Sequence, residues 1–232
     1  MRMERAVVLL SGGMDSATAA AWARARWNWV GALTVDYGQR HALELRAAEQ
    51  VGKALGMDAH LQVSVGLHAF GGSALTDAFE VPKHRQGRGD SIPVTYVPAR
   101  NTVLLALLLA FAETRQAAHL VLGANALDFS GYPDCRPDYL RAFQRMANLG
   151  TRAGREAEGF FLHAPLLHLS KAGIVRLGSQ LGVDFSLTFS CYDPPAEGVH
   201  CGTCDACHLR RRGFVEAGIP DPTKYAQPAA DL

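Results

Sequence analysis

The sequence predicts an α/β fold, a doubly wound parallel sheet followed by a small cysteine-rich C-terminal segment. Three observations carry this reading. Apolar runs of strand length alternate with stretches of helical spacing along most of the chain. The first such unit, "VVLLSGGMDSATAAAWARA" (residues 7–25), reads as strand, glycine turn and helix. Four of the five cysteines fall between Cys191 and Cys207. At 232 residues and 48% hydrophobic, the chain is long enough for one α/β domain with an appendage.

The elements follow in order. Residues 6–10 form an apolar strand that Ser11, Gly12 and Gly13 end, and a helix over 17–27 starts near Asp15 or Ser16, both good N-cap residues. An export signal would explain Arg2, Arg5 and the small residues Ala19, Ala20 and Ala21, but its core needs roughly 7 to 15 apolar residues. This run is cut at Ser11 and again by the charge of Asp15. A cytoplasmic protein is therefore expected. A strand at 30–35, a helix at 43–55 and a strand at 61–65 follow. Residues 76–91, rich in Gly, Pro and charge, have no periodicity and read as a mobile loop or a lid. The helix at 101–115 contains an apolar segment, 103–112, half the roughly 20 residues a bilayer demands. It reads as a helix buried in the protein or in a subunit interface, with no membrane span. A strand at 120–122, a helix at 137–149 opened by Pro137, a strand at 160–162 and a helix at 171–181 capped by Ser170 complete the alternation. The expected division is an α/β domain over 1–188, carrying a loop at 123–140, and a C-terminal segment over 189–232.

With 23 basic against 22 acidic residues, there is no global pull toward nucleic acid or an anionic membrane. The basic clusters at 84–88 and at Arg210, Arg211 and Arg212 read as solvated faces. The sequence is silent on oligomeric state; a homodimer is allowed.

The "SGG" turn lies at the carboxyl end of the first strand, where open α/β sheets bind ligands. Glycines there let the backbone approach a ligand, and the first-turn N–H groups of the helix point at it. That is an anion site, with a nucleotide phosphate as its usual occupant. Neither a Walker loop nor a G-x-G-x-x-G fingerprint is present. Asp15 and Ser16 have the chemistry to hold Mg²⁺ and a phosphate oxygen; the plain alternative is a glycine turn that merely joins strand to helix.

The cysteines follow C-x9-C-x2-C-x2-C. In a chain without an export signal such clustering means metal rather than disulfides. Four thiolates, Cys191, Cys201, Cys204 and Cys207, suit tetrahedral Zn²⁺ in a closed, structural site. An iron–sulfur cluster competes, because C-x2-C-x2-C also opens the bacterial ferredoxin run. Its last cysteine would come three residues later before a proline, and residues 208–213 hold neither. His200 and His208 read as surface histidines. The cluster would pin residues 208–217 to the main domain.

"SGGMDS" (11–16) resembles the loop of the ATP pyrophosphatases, which cleave ATP between the α and β phosphates and transfer AMP to a substrate oxygen. "VDYGQRH" (35–41), "YVPARN" (96–101), "GANALDFSGYPDCRPDYL" (123–140) and the cysteine cluster followed by "RRRGFVEAGIPDPT" narrow this. Together they are similar to the 7-cyano-7-deazaguanine synthase family of the queuosine pathway, over nearly the whole chain. The resemblance implies an adenine nucleotide α hydrolase-like fold and a ligase that converts 7-carboxy-7-deazaguanine, ammonium and ATP to the 7-nitrile. It implies ATP held by Leu10, Ser11, Gly12, Gly13, Met14, Asp15, Ser16, Arg100, Asn101 and Lys171, with Mg²⁺ near Asp15 and with Asp15 and Ser16 serving catalysis. Lys171 has a plainer reading, a solvated residue in a helix's first turn. For the purine-like substrate, Asp128 or Asp134 would accept from its amide edge, Phe129 or Tyr132 would stack on its face, and Arg136 would steer its carboxylate. No cysteine precedes Cys135, so a built-in glutaminase is not expected and free ammonium is the nitrogen source.

Two rival readings remain. A tRNA-thiolating enzyme with the same loop would need Cys135 as its persulfide carrier and a basic face. A zinc-stabilised binding module would need a dead nucleotide site, against which the intact Asp15 and Ser16 stand.

Overall fold

The computed structural model describes residues 4–38, 43–73, 92, 95–125 and 132–227. All five expected strands form. β1 (Arg5–Leu9), β2 (Trp29–Asp36), β3 (Ala59–Ser64), β4 (His119–Val121) and β5 (Phe161–His163) pair in parallel in the order β3-β2-β1-β4-β5. β1 is central, with Ala6 opposite Val30 on one side and His119 on the other. A central parallel strand is covered on both faces, which is why its sequence is an unbroken apolar run.

Side-chain alternation divides that run between two cores. Ala6 and Val8 join the apolar cluster built with α1 (Met14–Arg24), α2 (Leu43–Ala54), α6 (Lys171–Gln180) and α7 (Asp205–Ala217). Val7 joins the opposite one, built with α3 (Arg100–Arg115) and α4 (Pro137–Gly150). A short helix, α5 (Arg152–Glu156), follows α4. In α1, Ala17, Ala19, Ala20 and Ala23 are fully buried, so their small side chains bring the helix close to the sheet. Strand order reverses at β1: β2 and β3 lie to one side, β4 and β5 to the other. The loops leaving β1 and β4 therefore diverge and open a crevice at the strand ends.

Four expectations change. α1 starts at Met14, with Gly13 as its N-cap in extended conformation (φ −76°, ψ 162°) and no side-chain cap. Asp15 and Ser16 lie inside the first turn. α5 and α7 were not expected as helices. The three arginines of α7 are not one solvated face: Arg210 is 0% and Arg211 9% exposed. Arg210 pairs with Asp221 at 3.2 Å and donates to Thr188 Oγ at 2.7 Å and the Phe185 carbonyl at 3.0 Å. Arg211 lies over the Tyr225 ring, 3.8 Å from its centroid, and donates to the Gln227 carbonyl. His200 is buried rather than at the surface, held between Phe189 and Tyr225. Residues 76–91 and 84–88 lie outside the described residues. Among the described residues no helix is long and apolar enough to cross a membrane.

Arg210→Ala would leave Asp221 and the Phe185 carbonyl without their guanidinium. We expect a loss of about 3 kcal/mol, the usual scale for breaking a buried pair on one side. Arg212→Ala removes an exposed side chain, 3.6 Å from Glu216, and should cost under about 0.5 kcal/mol. Thermal melts of the metal-loaded protein would compare the two.

Candidate functional site

The loop after β1 is shaped by close approach. Gly12 has φ +86°, and a Cβ there would lie 2.3 Å from the Glu44 carbonyl oxygen of α2. Only glycine tolerates both the left-handed backbone and that contact. Ser16 then clasps the loop from the first turn of α1. Its hydroxyl donates to the Gly13 carbonyl at 3.0 Å and accepts from Ser11 N–H at 3.1 Å and Ser11 Oγ at 3.0 Å. A hydroxyl has one donor and two acceptor positions, so this set employs all of them. On the β4 side, a Cβ on Gly123 would meet the Asp15 carbonyl at 2.9 Å. The N-terminus of α1 is thus seated from both sides, with its dipole directed into the crevice.

The crevice is a cleft of about 280 Å³. Ser11, Gly13, Met14, Asp15 and Ser16 line its base, with the strand ends at Leu9, Val35 and Leu122. Lys171, the first residue of α6, reaches it from the side. Its ammonium donates to both Asp15 carboxylate oxygens, at 2.8 and 3.0 Å. Lys171 is 5% exposed, so the solvated reading of this lysine does not hold. Arg100 and Asn101 enter at the head of α3, behind Ala99, whose φ of 54° is left-handed for a residue with a side chain. Such strain is tolerated where the surroundings fix it; here the Tyr96 hydroxyl accepts the Ala99 N–H at 3.1 Å. The Asn101 amide donates to the Asp134 carbonyl at 3.3 Å and to Cys135 Sγ at 3.2 Å, which ties α3 to the turn at Pro133–Cys135.

Of the residues expected to meet a base, Tyr132 lines the cleft, its hydroxyl 2.8 Å from Thr95 Oγ. Asp134 is buried behind the wall and accepts the Asn101 N–H at 3.1 Å through Oδ2, capping α3. Arg136 is exposed at the head of α4 and is not part of the lining. Asp128 and Phe129 lie outside the described residues. Cys135 lines the cleft, and burial, with the Asp134 charge adding, pushes its thiol up to about 11. A thiol held neutral is a poor nucleophile.

Several lining residues escaped the sequence reading: Tyr37, Glu44, Ser190 and Tyr192. Three carried a signal. Glu44 sits in the first turn of the helix that presses on Gly12, so it must face whatever the loop faces. Tyr192 and Ser190 flank the first cysteine of the cluster. Burial pushes the Glu44 carboxyl up to about 7, against the opposing pull of Arg100.

The four cysteines converge. Their sulfurs lie within 4.8 Å of one another and all four residues are buried. A tetrahedron with metal–sulfur bonds of about 2.3 Å has sulfur–sulfur edges of about 3.8 Å; Cys201 Sγ and Cys207 Sγ are 3.8 Å apart. Backbone N–H groups point at the sulfurs, from Cys201 to Cys191 at 3.2 Å and from Thr203 and Cys204 to Cys201 at 3.3 Å each. Such donors favour thiolate over thiol. The cluster is therefore suited to hold a metal ion, with Cys204 as the N-cap of α7.

A family model for the queuosine biosynthesis protein QueC matches residues 5–218. The 7-cyano-7-deazaguanine synthase of Anaeromyxobacter sp. (strain Fw109-5) is 61% identical over 227 residues, 97% of each chain. That of Xanthomonas axonopodis pv. citri (strain 306) is 58% identical, over 97% of this chain and 99% of its own. Among solved structures, NMN synthetase from Francisella tularensis shares the fold at a TM-score of 0.50 and 20% identity, covering 98% of this chain and 80% of that one.

The raised Glu44 carboxyl gives a signed pH dependence. The unfolded carboxyl ionises near 4.5 and the folded one near 7, so the folded state holds the proton longer. Its contribution to stability is present at low pH and is lost as pH rises through that window. In nucleotide-free protein, Glu44→Gln should flatten the fall in melting temperature between those two values; an unchanged slope would contradict the assignment.

Proposed function

The chain belongs to the queuosine biosynthesis protein QueC family, and from that membership we propose how its cleft performs the family's chemistry. The protein is an ATP-dependent carbon–nitrogen ligase that forms 7-cyano-7-deazaguanine from 7-carboxy-7-deazaguanine and ammonium. A carboxylate is a poor electrophile at neutral pH. Its oxygen therefore attacks the α phosphorus of ATP, giving an acyl adenylate and pyrophosphate. Ammonia attacks the acyl carbon, the C–O bond breaks and AMP leaves, giving the amide. The amide oxygen then attacks a second ATP. The nitrogen sheds its protons as the C–O bond to AMP breaks, leaving the nitrile.

The observation that carries this reading is the helix N-terminus at the strand switch point, flanked by the Lys171–Asp15 pair. Both adenylations expel pyrophosphate, and oriented donors at the position of developing charge are the largest catalytic term in such steps. The N–H groups of the loop and α1, with the cations of Lys171 and Arg100, supply them. Mg²⁺ accompanying ATP would be held near Asp15 and would neutralise charge on the departing oxygens. Ser11 and Ser16 keep the loop's shape. Glu44, with its carboxyl near 7, is suited to take the protons that nitrogen sheds. Tyr132 offers a ring to the base, beside the contribution proposed for Asp128 and Phe129. Thiolation through Cys135 is disfavoured by the raised thiol, and the near-zero net charge supports small-molecule substrates rather than tRNA. The substrates, and the thiol chemistry below, fit the cytoplasm.

We take the metal in the cysteine site to be Zn²⁺, in a structural role. Four sulfur ligands leave no open position for water.

Two measurements test these readings. AMP and pyrophosphate should form two each per nitrile, and added amide should give nitrile without ammonium at one ATP per turnover. Stoichiometric ADP, or an inert amide, would defeat the mechanism. Asp15→Asn should impair both halves together. For the metal, elemental analysis should find one zinc per chain, and Cys204→Ala should lower soluble yield and melting temperature. Iron with acid-labile sulfide would overturn zinc.

A further inference from the structure

The segment that leads into the cysteine site is bonded on its other side to the phosphate loop. Phe189 N–H donates to the Gly12 carbonyl at 2.9 Å. Ser190 Oγ accepts from Met14 N–H, the first residue of α1, at 3.4 Å. Cys191, the first ligand, comes next. The Ser190 N–H in turn donates to His200 Nε2 at 3.2 Å, and His200 packs on Phe189, ring centroids 4.4 Å apart, immediately before the second ligand, Cys201. Residues 189–191 are therefore clamped between the two arms of the metal site and the turn that receives phosphate.

A second route leaves the site through α7. Cys204 caps that helix, and two turns further on Gly213 lies against Lys171, where a Cβ would come within 2.6 Å of the lysine Cγ. Lys171 carries the ammonium bound to Asp15. Neither of these contacts is among those that hold the metal site, where N–H groups donate to the Cys191 and Cys201 sulfurs, or among those by which Ser16 clasps the loop. Both join one to the other.

We propose that the four-cysteine metal site and the nucleotide site are energetically coupled, with Ser190 as the positioning residue that transmits the coupling. This rests on the reading of the cleft as an ATP site. Linkage is reciprocal: if the filled metal site favours nucleotide, bound nucleotide changes the metal site by the same free energy. His200 keeps Ser190 in place, and the Ser190 hydroxyl fixes the first N–H of α1 relative to Cys191. When phosphate seats on that turn, the displacement reaches the first metal ligand one residue away.

The test uses the full chain loaded with Co²⁺, whose thiolate charge-transfer absorption reports the ligand geometry without requiring turnover. A non-hydrolysable ATP analogue with Mg²⁺ is titrated in while both the cobalt spectrum and the calorimetric heat are read. In the wild type, the spectral change should saturate at the same nucleotide concentration as the heat. In Ser190→Ala, the resting spectrum and metal content should be unchanged. Its nucleotide-induced spectral change should be lost, nucleotide Kd should rise about tenfold, within the usual range for coupling between sites, and KM for ATP should rise more than kcat falls. Ser190→Thr, which restores the hydroxyl, should recover the response. Heat without any cobalt response in the wild type would overturn the coupling while leaving the ATP reading intact. A response undiminished in Ser190→Ala would remove Ser190 from it. No nucleotide binding at all would sink the ATP reading and this inference with it.

Discussion

The cleft depends on how closely two backbones approach at Gly12. The α2 carbonyl of Glu44 occupies the space a side chain would need, so α2 can press directly on the turn after β1. That contact fixes where α1 begins, and α1 fixes where its unbonded N–H groups point. Ser16 and Gly123 complete the seating, one by hydrogen bonds within the loop and one by the absence of a Cβ against Asp15. A conventional serine or aspartate N-cap would have placed its side chain over those same N–H groups. Gly13 has no side chain to place there, and the Met14 N–H meets Ser190 Oγ at 3.4 Å instead.

Positive charge reaches this place from three elements far apart in sequence. α1 brings its dipole, α6 brings Lys171, and α3 brings Arg100. Lys171 is buried and would be costly alone; its pairing with Asp15 at 2.8 Å offsets the desolvation. The α7 helix crosses the lysine stem at a glycine, so the C-terminal segment shares both core and site with the sheet. Phe214 of α7 belongs to the same apolar cluster as β1 and α1.

The central strands β1 and β2 were legible because parallel strands covered on both faces are written as short, mostly apolar runs, and the loop after β1 because its glycines and polar residues are contiguous. What escaped was long-range. "RRR" looks like a solvated stripe, yet helical geometry turns Arg210 inward toward Asp221, which follows in a Pro-rich tail without periodicity. His200 seemed a surface residue because nothing nearby in sequence announces Phe189 and Tyr225 as its walls. Lys171 is expected at the nucleotide by resemblance alone, and its pairing with Asp15 has no local signal because that partner is 156 positions away. Glu44 and Tyr192 belong to the cleft only through the packing of α2 and the fold of the cysteine loop. The Asp134 carboxylate, read as a contact for a base, also accepts the Asn101 N–H through Oδ2 and so caps α3, a bond between residues 33 positions apart.

Cys204 at the head of α7 has an electrostatic consequence. A dication held by four thiolates would be a net anion, and Cys191 lies on the cleft proposed for ATP. The two would repel one another across a short distance were that charge left bare. The positive end of the α7 dipole meets it at Cys204, and the N–H groups at 3.2 and 3.3 Å spread it further. Filling the site releases the thiol protons, which reverses the sign of the chain's small positive net charge. Metal uptake would therefore also be a proton exchange at the rim of the cleft proposed for ATP, with the hydrogen ion competing for the sulfurs as surely as another metal.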